Sequence, residues 1–399
     1  MSAKEVYQKT TAIISENVDP KVDKSSQDRL SKYVIGTMDG KHGGPSQVAR
    51  AYCKLGLGDA QVDSVERQIR RMENDPEITA EYCFYPMARH YLALGQPQKL
   101  ILILDPTTKE DHIVMVSVNI WYRGRTLPLV WTIWPANTPL KGERFWDRIR
   151  ELLKKAATII PERCKGNITI IADRAFGSPA FTDLVEEQGW NWVVRVQDQT
   201  LCRDRMGEKK QIAKLVRFRG ERKKLRGEVF KKAGWRDASV VVYWGKRHKK
   251  ALCLVSNMKP GWEIIHIYRQ RFPIECTFRD FKTYGWRWEQ GQVRDLDHME
   301  RLLVGMAIAT WIILMVGTWK SEQILSKPPT GNRHTRPHDG KLSIFQHGLD
   351  TIARWFHCAN IPQISLTLSD WDAPNWSVQI RTHHAKAFVF AFKPYVRPS

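Results

Sequence analysis

The chain is long, rich in aromatic residues and strongly basic. Its 399 residues include 16 Trp and 14 Phe, and its formal net charge is +21. A chain of this length exceeds one compact core, so we expect about two to four domains. The apolar content of 42% excludes a wholly disordered protein. The positive charge favours polyanionic partners, because binding them releases counterions; a basic protein without such a partner is the alternative.

The charge is concentrated in one part of the chain. Residues 201–250 carry 18 Lys+Arg against 5 Asp+Glu, whereas residues 1–99 carry 14 against 13. We therefore predict that the main surface for a phosphate backbone lies in the first of these segments.

Cysteine spacing and hydropathy indicate the compartment. The seven cysteines include no C-x2-C pair, which argues against a disulfide framework or a structural zinc site and favours a reducing compartment. The N-terminus shows no apolar signal core. Residues 302–319 form the one long apolar run and reach the lower length limit of a membrane span. We interpret this run, which contains Gly305, Thr310 and Gly317, as a buried core helix, and we expect a cytoplasmic protein without a membrane partner.

Residues 1–95 predict a helical N-terminal domain. Gly44-Pro45-Ser46 is typical of a helix start, and Gly56-Leu57-Gly58 would end that helix. A second helix would cover residues 63–72 and carry Arg67, Arg70 and Arg71. Two short helices around a glycine turn resemble a helix-turn-helix, so we predict DNA binding here. Any small helical bundle shows a similar pattern, which is the alternative.

Residues 96–196 predict the first part of an α/β core. The predicted strands are 100–104, 112–122, 126–134, 167–172 and 190–196, and the predicted helices are 144–157 and 179–188. Arg123-Gly124-Arg125 is a hairpin signal between the second and third strands. Three antiparallel strands followed by α/β alternation is the order of an RNase H-like fold.

Three further segments follow the first part of the core. Residues 197–258 predict a basic, β-rich insertion, with alternating stretches at 214–219 and 238–244. The core would resume over residues 259–322, with a helical region at 263–284 and the apolar helix at 297–318. Residues 323–399 would form a linker and a C-terminal segment, for which dimerisation is a candidate role.

The most informative motif lies at the start of the resumed core. Tyr268, Arg271, Glu275 and Lys282 form the pattern Y-x2-R-x3-E-x6-K. Because a helix turns about 100° per residue, these side chains would share one face, although Pro273 would kink or break the helix. A carboxylate beside cations suits a metal-dependent enzyme that acts on a phosphate backbone.

Two aspartates have the setting of catalytic acids. Asp105 and Asp173 are each the first polar residue after a predicted apolar strand, and strand ends are where α/β sheets bind ligands. With Glu275 they could hold two divalent ions, and oxygen-only ligands select Mg2+ or Mn2+ over zinc. Each aspartate alone could equally be a helix N-cap or a turn former. Glu110 and Asp111 compete with Asp105 but are expected in the turn between the first two strands.

On these motifs, the chain resembles a bacterial insertion-sequence transposase of the DDE type, in the group that carries the Y-x2-R-x3-E-x6-K signature. The signature is complete, and the aspartate regions Leu104-Asp105-Pro106-Thr107 and residues 170–176 are also similar to the family. The resemblance covers about residues 100–320. It implies a retroviral-integrase-like core in which Asp105, Asp173 and Glu275 are catalytic and bind two Mg2+ ions, with Mn2+ as a substitute.

The resemblance also implies an activity and partners. The enzyme would cleave double-stranded DNA at the terminal inverted repeats and join the ends to target DNA. Whether a hairpin intermediate forms is left open. A homodimer in a synaptic complex would bring both ends together, in the bacterial cytoplasm and at the nucleoid when DNA is bound. An RNase H-like nuclease without strand transfer and a transposase-derived DNA-binding protein are the alternatives.

Several side chains are candidates for DNA contact. The resemblance assigns phosphate contacts to Tyr268, Arg271 and Lys282, and base stacking to Phe272, with Trp235 and Trp244 as other stacking candidates. The loop Lys246-Arg247-His248-Lys249-Lys250 is expected to contact phosphates through Lys246, Arg247, Lys249 and Lys250. Trp286 and Trp288 could flank nucleic acid or cap the core. His383-His384 could bind a metal, but a charged surface is the expected role.

Overall fold

The computed structural model describes residues 2–326, 342–357, 366–369 and 371–372. The predicted linker at 326–340 and the His383-His384 pair therefore lie almost wholly outside the described residues. The chain divides into two compact units. The first comprises residues 1–96, 122–127 and 276–399, and the second comprises residues 97–121 and 128–275.

One sheet of ten strands forms the framework of the second unit. The strands are β1 (Leu100–Lys109), β2 (Ile113–Tyr122), β3 (Arg125–Pro135), β4 (Ile168–Ala172), β5 (Asn191–Arg195), β6 (Leu201–Asp204), β7 (Lys209–Gln211), β8 (Arg222–Val229), β9 (Arg236–Tyr243) and β10 (Leu252–Ser256). Their order is β3-β2-β1-β4-β5-β10-β9-β8-β6-β7. The β1–β4 and β4–β5 pairs are parallel, and β2 pairs with β1 in the antiparallel sense.

The strand order confirms the predicted α/β class with an RNase H-like core. Three consecutive strands are followed by α6 (Glu143–Ile159), β4, α7 (Pro179–Glu186) and β5, as the pattern of apolar runs predicts. Strands β4 and β5 are short and almost wholly buried, which suits central strands covered on both faces.

The prediction that the first strand ends at Leu104 is wrong. Strand β1 continues to Lys109, and Asp105 pairs with Ser117 of β2 inside the strand. Pairing with β4 stops at Leu104, so the rest of β1 has a strand partner on one side only. Such a one-sided position tolerates Pro106, which lacks a backbone N–H and made the sequence resemble a strand end.

The basic insertion continues the same sheet. Strand β10 pairs with β5 of the core, and β9, β8, β6 and β7 follow in that order. The predicted strand at 214–219 is wrong, because a 3-10 helix covers Ile212–Leu215. Instead β8 forms, although most of its residues are charged or exposed, because it pairs with β9 over its whole length. Strand pairing outweighs the low β-propensity of its lysines.

A short helix packs on the middle of the sheet in the second unit. Helix α8 (Glu263–Arg269) buries Ile264, Ile265 and Tyr268 against Ile171 of β4 and Val193 of β5. Strands β9 and β10 contribute Val241 and Leu254 to the same cluster. This packing fixes the direction of the residues that follow α8.

Pro273 divides the predicted helix at 263–284. Helix α8 ends at Arg269, and Pro273 is the first residue of α9 (Pro273–Arg279), which continues into a π-helix at Asp280–Tyr284. The single stripe predicted for the signature is therefore wrong. A proline is well accommodated at a helix start, where its missing N–H has no intrahelical partner.

The first unit is helical. Its helices are α1 (Ser2–Asn17), α2 (Lys24–Gly40), α3 (Pro45–Lys54), α4 (Val62–Glu73), α5 (Tyr85–Gly95), α10 (Leu296–Leu325) and α11 (Ile344–His357). Helices α3 and α4 match the predicted pair, and Arg70 of α4 pairs with Glu66 and Glu73. DNA binding by this pair stays a prediction.

Helix α10 contains the long apolar run. Among the described residues it is the one helix long and apolar enough to cross a membrane, and 94% of its most apolar window is buried inside the protein. This confirms the prediction of a core helix. Trp286 and Trp288 are buried beside it and donate hydrogen bonds to Thr310 and Met299, so they belong to the core.

Two glycines allow α10 and α11 to approach closely. A Cβ built at Gly317 would lie 1.9 Å from the carbonyl oxygen of Ile344, and one at Gly348 would lie 2.0 Å from that of Ile313. Both neighbours are backbone atoms, so the helices would have to move apart to accept a side chain.

Gly317→Ala is therefore expected to lower the free energy of unfolding by about 1–3 kcal/mol, as overpacking of a core does. The measurement is chemical denaturation followed by circular dichroism. Gly58→Ala is the control, since a Cβ there meets no atom within 4 Å. Equal stability of the two variants would contradict the close approach of α10 and α11.

Candidate active site

The two predicted aspartates are neighbours on parallel strands. Leu104 of β1 pairs with Ala172 of β4, and Asp105 and Asp173 are the next residues along each chain. Asp173 precedes a 3-10 helix at Arg174–Phe176, but its side chain makes no capping hydrogen bond. Neither aspartate therefore has the simple helix-capping role that was its alternative.

Signature residues in and after α8 contact the predicted acids. The Tyr268 hydroxyl donates to Oδ1 of Asp173 at 3.3 Å. Arg271 donates from Nη1 to Oδ2 of Asp105 at 2.8 Å and from Nη2 to Oε1 of Glu275 at 2.6 Å. Each of the three predicted acids thus contacts a side chain of the signature, and Arg271 bridges two of them.

Lys282 differs from the other signature residues. It lies in the π-helix of the first unit, where its Nζ is 3.0 Å from Oε1 of Glu289. Its predicted contact with DNA stays a prediction.

The site concentrates negative charge in a partly dry environment. The pKa of Asp105 is raised to about 6, chiefly by burial; Arg271 opposes the rise, and Asp173 and Glu275 contribute to it. Burial also raises the pKa of Tyr268, to which Asp173 contributes, so its hydroxyl is a stable hydrogen-bond donor. A cluster of this kind favours a bound cation, because positive charge stabilises the ionised carboxylates.

The donor set fits a hard divalent cation. Asp105, Asp173 and Glu275 offer only oxygen ligands, which suit Mg2+ and Mn2+. In the part of the chain that the structure describes, no three His, Cys, Asp or Glu side chains already converge around one point. Arg271 stands between Asp105 and Glu275 and provides the positive charge in this arrangement.

A cleft of about 320 Å3 adjoins the site in the second unit. Tyr268, Arg271 and Phe272 line one side of it, and Phe272 is 63% exposed, as a stacking residue would be. Sequence analysis missed four further lining residues: Arg195, Tyr243, His248 and Arg269. The Arg269 guanidinium lies over the Tyr243 ring at 5.6 Å. Only Arg195, the last residue of β5, carried a signal, namely its place at a strand end.

The basic loop between β9 and β10 contains the predicted phosphate contacts. All five residues from Lys246 to Lys250 are exposed, and Lys250 also lines the cleft and lies 3.6 Å from Asp198. Trp244 donates from its indole N–H to the carbonyl of His248, which shapes the loop. The Trp235 ring is covered by Arg203 at 4.7 Å.

Comparison with known proteins gives a match between part of the chain and one family model. Residues 145–312, a range that includes Asp173 and Glu275, match the family model described as "Transposase DDE domain". No curated protein matches the chain.

Two solved structures are similar to the chain at low identity. One is the cryo-EM structure of a piggyBac transposase synaptic complex with hairpin DNA, with 12% identity and a TM-score of 0.43, over 96% of this chain and 82% of that chain. The other is the catalytic domain of human endonuclease V, with 10% identity and a TM-score of 0.30, over 50% of this chain and 95% of that chain.

The raised pKa of Asp105 predicts how metal uptake depends on pH. Below about pH 6 this carboxyl is protonated in the ion-free protein, so a divalent ion must displace a proton. The apparent affinity for a divalent cation should therefore fall by up to about tenfold per pH unit below 6, whereas an ordinary Asp would delay this fall to about pH 4. Titration calorimetry with Mg2+ from pH 7.5 to 5 measures it. Constant affinity down to pH 5 would contradict the shift.

Proposed function

We propose, from the transposase DDE domain at residues 145–312, that this chain is a DNA transposase that cleaves transposon ends and joins them to target DNA. The observation that carries the proposal is that two residues of the same signature contact all three acids: Tyr268 donates to Asp173, and Arg271 bridges Asp105 and Glu275. A structural cluster would need no such combination of three acids with a phenol and a guanidinium.

The three carboxylates would act as the metal ligands. Two Mg2+ ions, for which Mn2+ could substitute, would supply a nucleophile and neutralise charge on the phosphate during in-line displacement. The parallel pairing of β1 and β4 holds Asp105 and Asp173 rigidly, and Glu275 approaches from α9. One triad can serve both cleavage and strand transfer, because each step is a displacement at phosphorus.

The basic and aromatic side chains around the three carboxylates would hold the DNA. Tyr268, Arg271 and Lys282 would contact phosphates near the cleaved bond, and exposed Phe272 would stack on a base beside the cleft. The loop residues Lys246, Arg247, Lys249 and Lys250 would contact the backbone farther away. Arg195 and Arg269 add positive charge to the same cleft.

The substrate would be double-stranded DNA at the terminal inverted repeats of the element. Two copies of the chain would form a synaptic complex in which each cleaves one end. Whether the freed 3′-hydroxyl attacks the opposite strand to form a hairpin is decided by denaturing gels of the cleavage products.

Glu275→Gln is expected to abolish cleavage and to preserve DNA binding, since it removes one carboxylate and keeps the side-chain shape. The assay incubates the purified protein and Mg2+ with a labelled duplex that carries the end of its own element. Glu263→Gln, at the exposed start of α8, is the matched control and should cleave like the wild type.

The products separate the candidate activities. Cleavage that survives Glu275→Gln would place the active site elsewhere. Cleavage without joining of pre-cleaved ends to a target plasmid would identify a nuclease, and binding without cleavage would identify a DNA-binding derivative.

The basic loop predicts a measurable salt dependence. Among the described residues, Lys246, Arg247 and Lys249 have no carboxylate within ion-pair distance. Replacing all three by Gln should make the slope of log affinity against log salt shallower by about one for each lost phosphate contact. Fluorescence anisotropy of a labelled duplex measures the slope. Lys154→Gln with Lys155→Gln, on α6, is the control, and an unchanged slope in the loop variant would remove the loop from the DNA surface.

A further inference from the structure

Arg271 pairs with carboxylates that, under the proposed function, a divalent cation would also bind. Its guanidinium bridges Asp105 and Glu275, with the side chains of Arg271 and Asp105 only 18% and 13% exposed. Under the proposed function, the same carboxylates bind divalent cations and the same guanidinium binds a DNA phosphate. Because Nη1 and Nη2 donate to Oδ2 of Asp105 and Oε1 of Glu275, the guanidinium occupies oxygens that a divalent cation would need, and the two compete for the same carboxylates.

The backbone around Arg271 allows its side chain to move. Helix α8 ends at Arg269 and α9 begins at Pro273, so Arg271 lies in the break between them and belongs to neither helix. Its backbone N–H donates to the carbonyl of Tyr268 and its carbonyl accepts from the N–H of Ile274, so the side chain reorients by rotation about its own bonds while this turn stays in place. The adjoining cleft, which Arg271 also lines, provides space on the side where Phe272 and Arg269 lie.

We propose that Arg271 is an internal counter-ion that divalent cations displace, and that the displaced guanidinium then binds a DNA phosphate. In the absence of metal, the ion pairs hold the carboxylates in place and neutralise part of their charge. A divalent cation competes with Nη1 and Nη2 for the same oxygens of Asp105 and Glu275. Metal binding and DNA binding are thus coupled, and such coupling is reciprocal. The DNA half of this inference rests on the proposed function.

The first experiment measures cation binding without DNA. Titration calorimetry with Ca2+ on the full chain compares the wild type with Arg271→Gln and with Arg148→Gln, which changes an exposed arginine of α6. Arg271→Gln should bind Ca2+ more tightly, by about 5- to 150-fold if this coupling has the usual size, and Arg148→Gln should bind like the wild type. Equal or weaker Ca2+ binding by Arg271→Gln would overturn the proposal.

The second experiment distinguishes displacement from simple charge repulsion. The salt dependence of binding to a labelled duplex of random sequence is measured with and without Ca2+, since backbone binding does not need the element end. In the wild type, Ca2+ should steepen the slope of log affinity against log salt by about one, because Arg271 gains a phosphate. Arg271→Gln should lack this increment and Arg148→Gln should keep it. An increment that is absent from the wild type, or that persists in Arg271→Gln, would refute the exchange.

The two experiments distinguish a failure of the proposed function from a failure of the counter-ion proposal. If the duplex is not bound at all, the proposed function fails, while tighter Ca2+ binding by Arg271→Gln would still establish the counter-ion. If circular dichroism shows that Arg271→Gln is unfolded, Arg271→Lys replaces it in both experiments. Lysine keeps the charge but lacks the planar fork that lets Arg271 bridge Asp105 and Glu275, so the Arg271→Lys variant should also bind Ca2+ more tightly than the wild type.

Discussion

The parallel pairing of β1 with β4 is the constraint on which the candidate site depends. It places Asp105 and Asp173 beside each other at the point where the ladder between the two strands stops. Backbone hydrogen bonds hold both strands up to Leu104 and Ala172, so the backbone of the two aspartates cannot separate without disrupting the sheet. Two negative charges are thereby forced together before any ligand arrives, and the rest of the site accommodates that repulsion.

The positive charge that offsets this repulsion comes from Arg271, in the segment after α8. Apolar packing of Ile264, Ile265 and Tyr268 against the sheet brings Arg271 and Glu275 to the aspartates. The hydrophobic cluster and the polar site are consequently built by the same short helix. Replacing Ile264 or Ile265 would therefore affect the position of the carboxylates as well as the core.

The sequence was most informative where local patterns and burial agree. The order of strands and helices followed from apolar runs, and the fully buried β4 was the clearest of them. The end of β1 was misjudged because Asp105 and Pro106 resemble a strand end, whereas pairing with β2 extends the strand. Strand β8 was missed because its lysines have low β-propensity. The strand forms because it pairs with β9.

Prediction of the site from the sequence was limited in a similar way. The spacing of Tyr268, Arg271 and Glu275 identified the chemistry, but a single helix was the wrong geometry for it, because Pro273 begins a new helix. That Arg271 bridges two of the acids could not be predicted, since the bridge depends on residues 166 positions apart in the chain. Tyr243 and Arg269 were missed for the same reason, because their stacking is a tertiary contact.

The continuity of the sheet has a consequence for how this chain can be divided. Strand β5 has β4 on one side and β10 on the other, and β10 belongs to the basic, β-rich segment at residues 197–258. Deleting that segment would leave β5 with an unpaired edge of backbone N–H and C=O groups, formed by a short, apolar strand. Such edges pair with other chains. The segment is thus a cover for the core as well as a carrier of positive charge, and its deletion would remove both functions together.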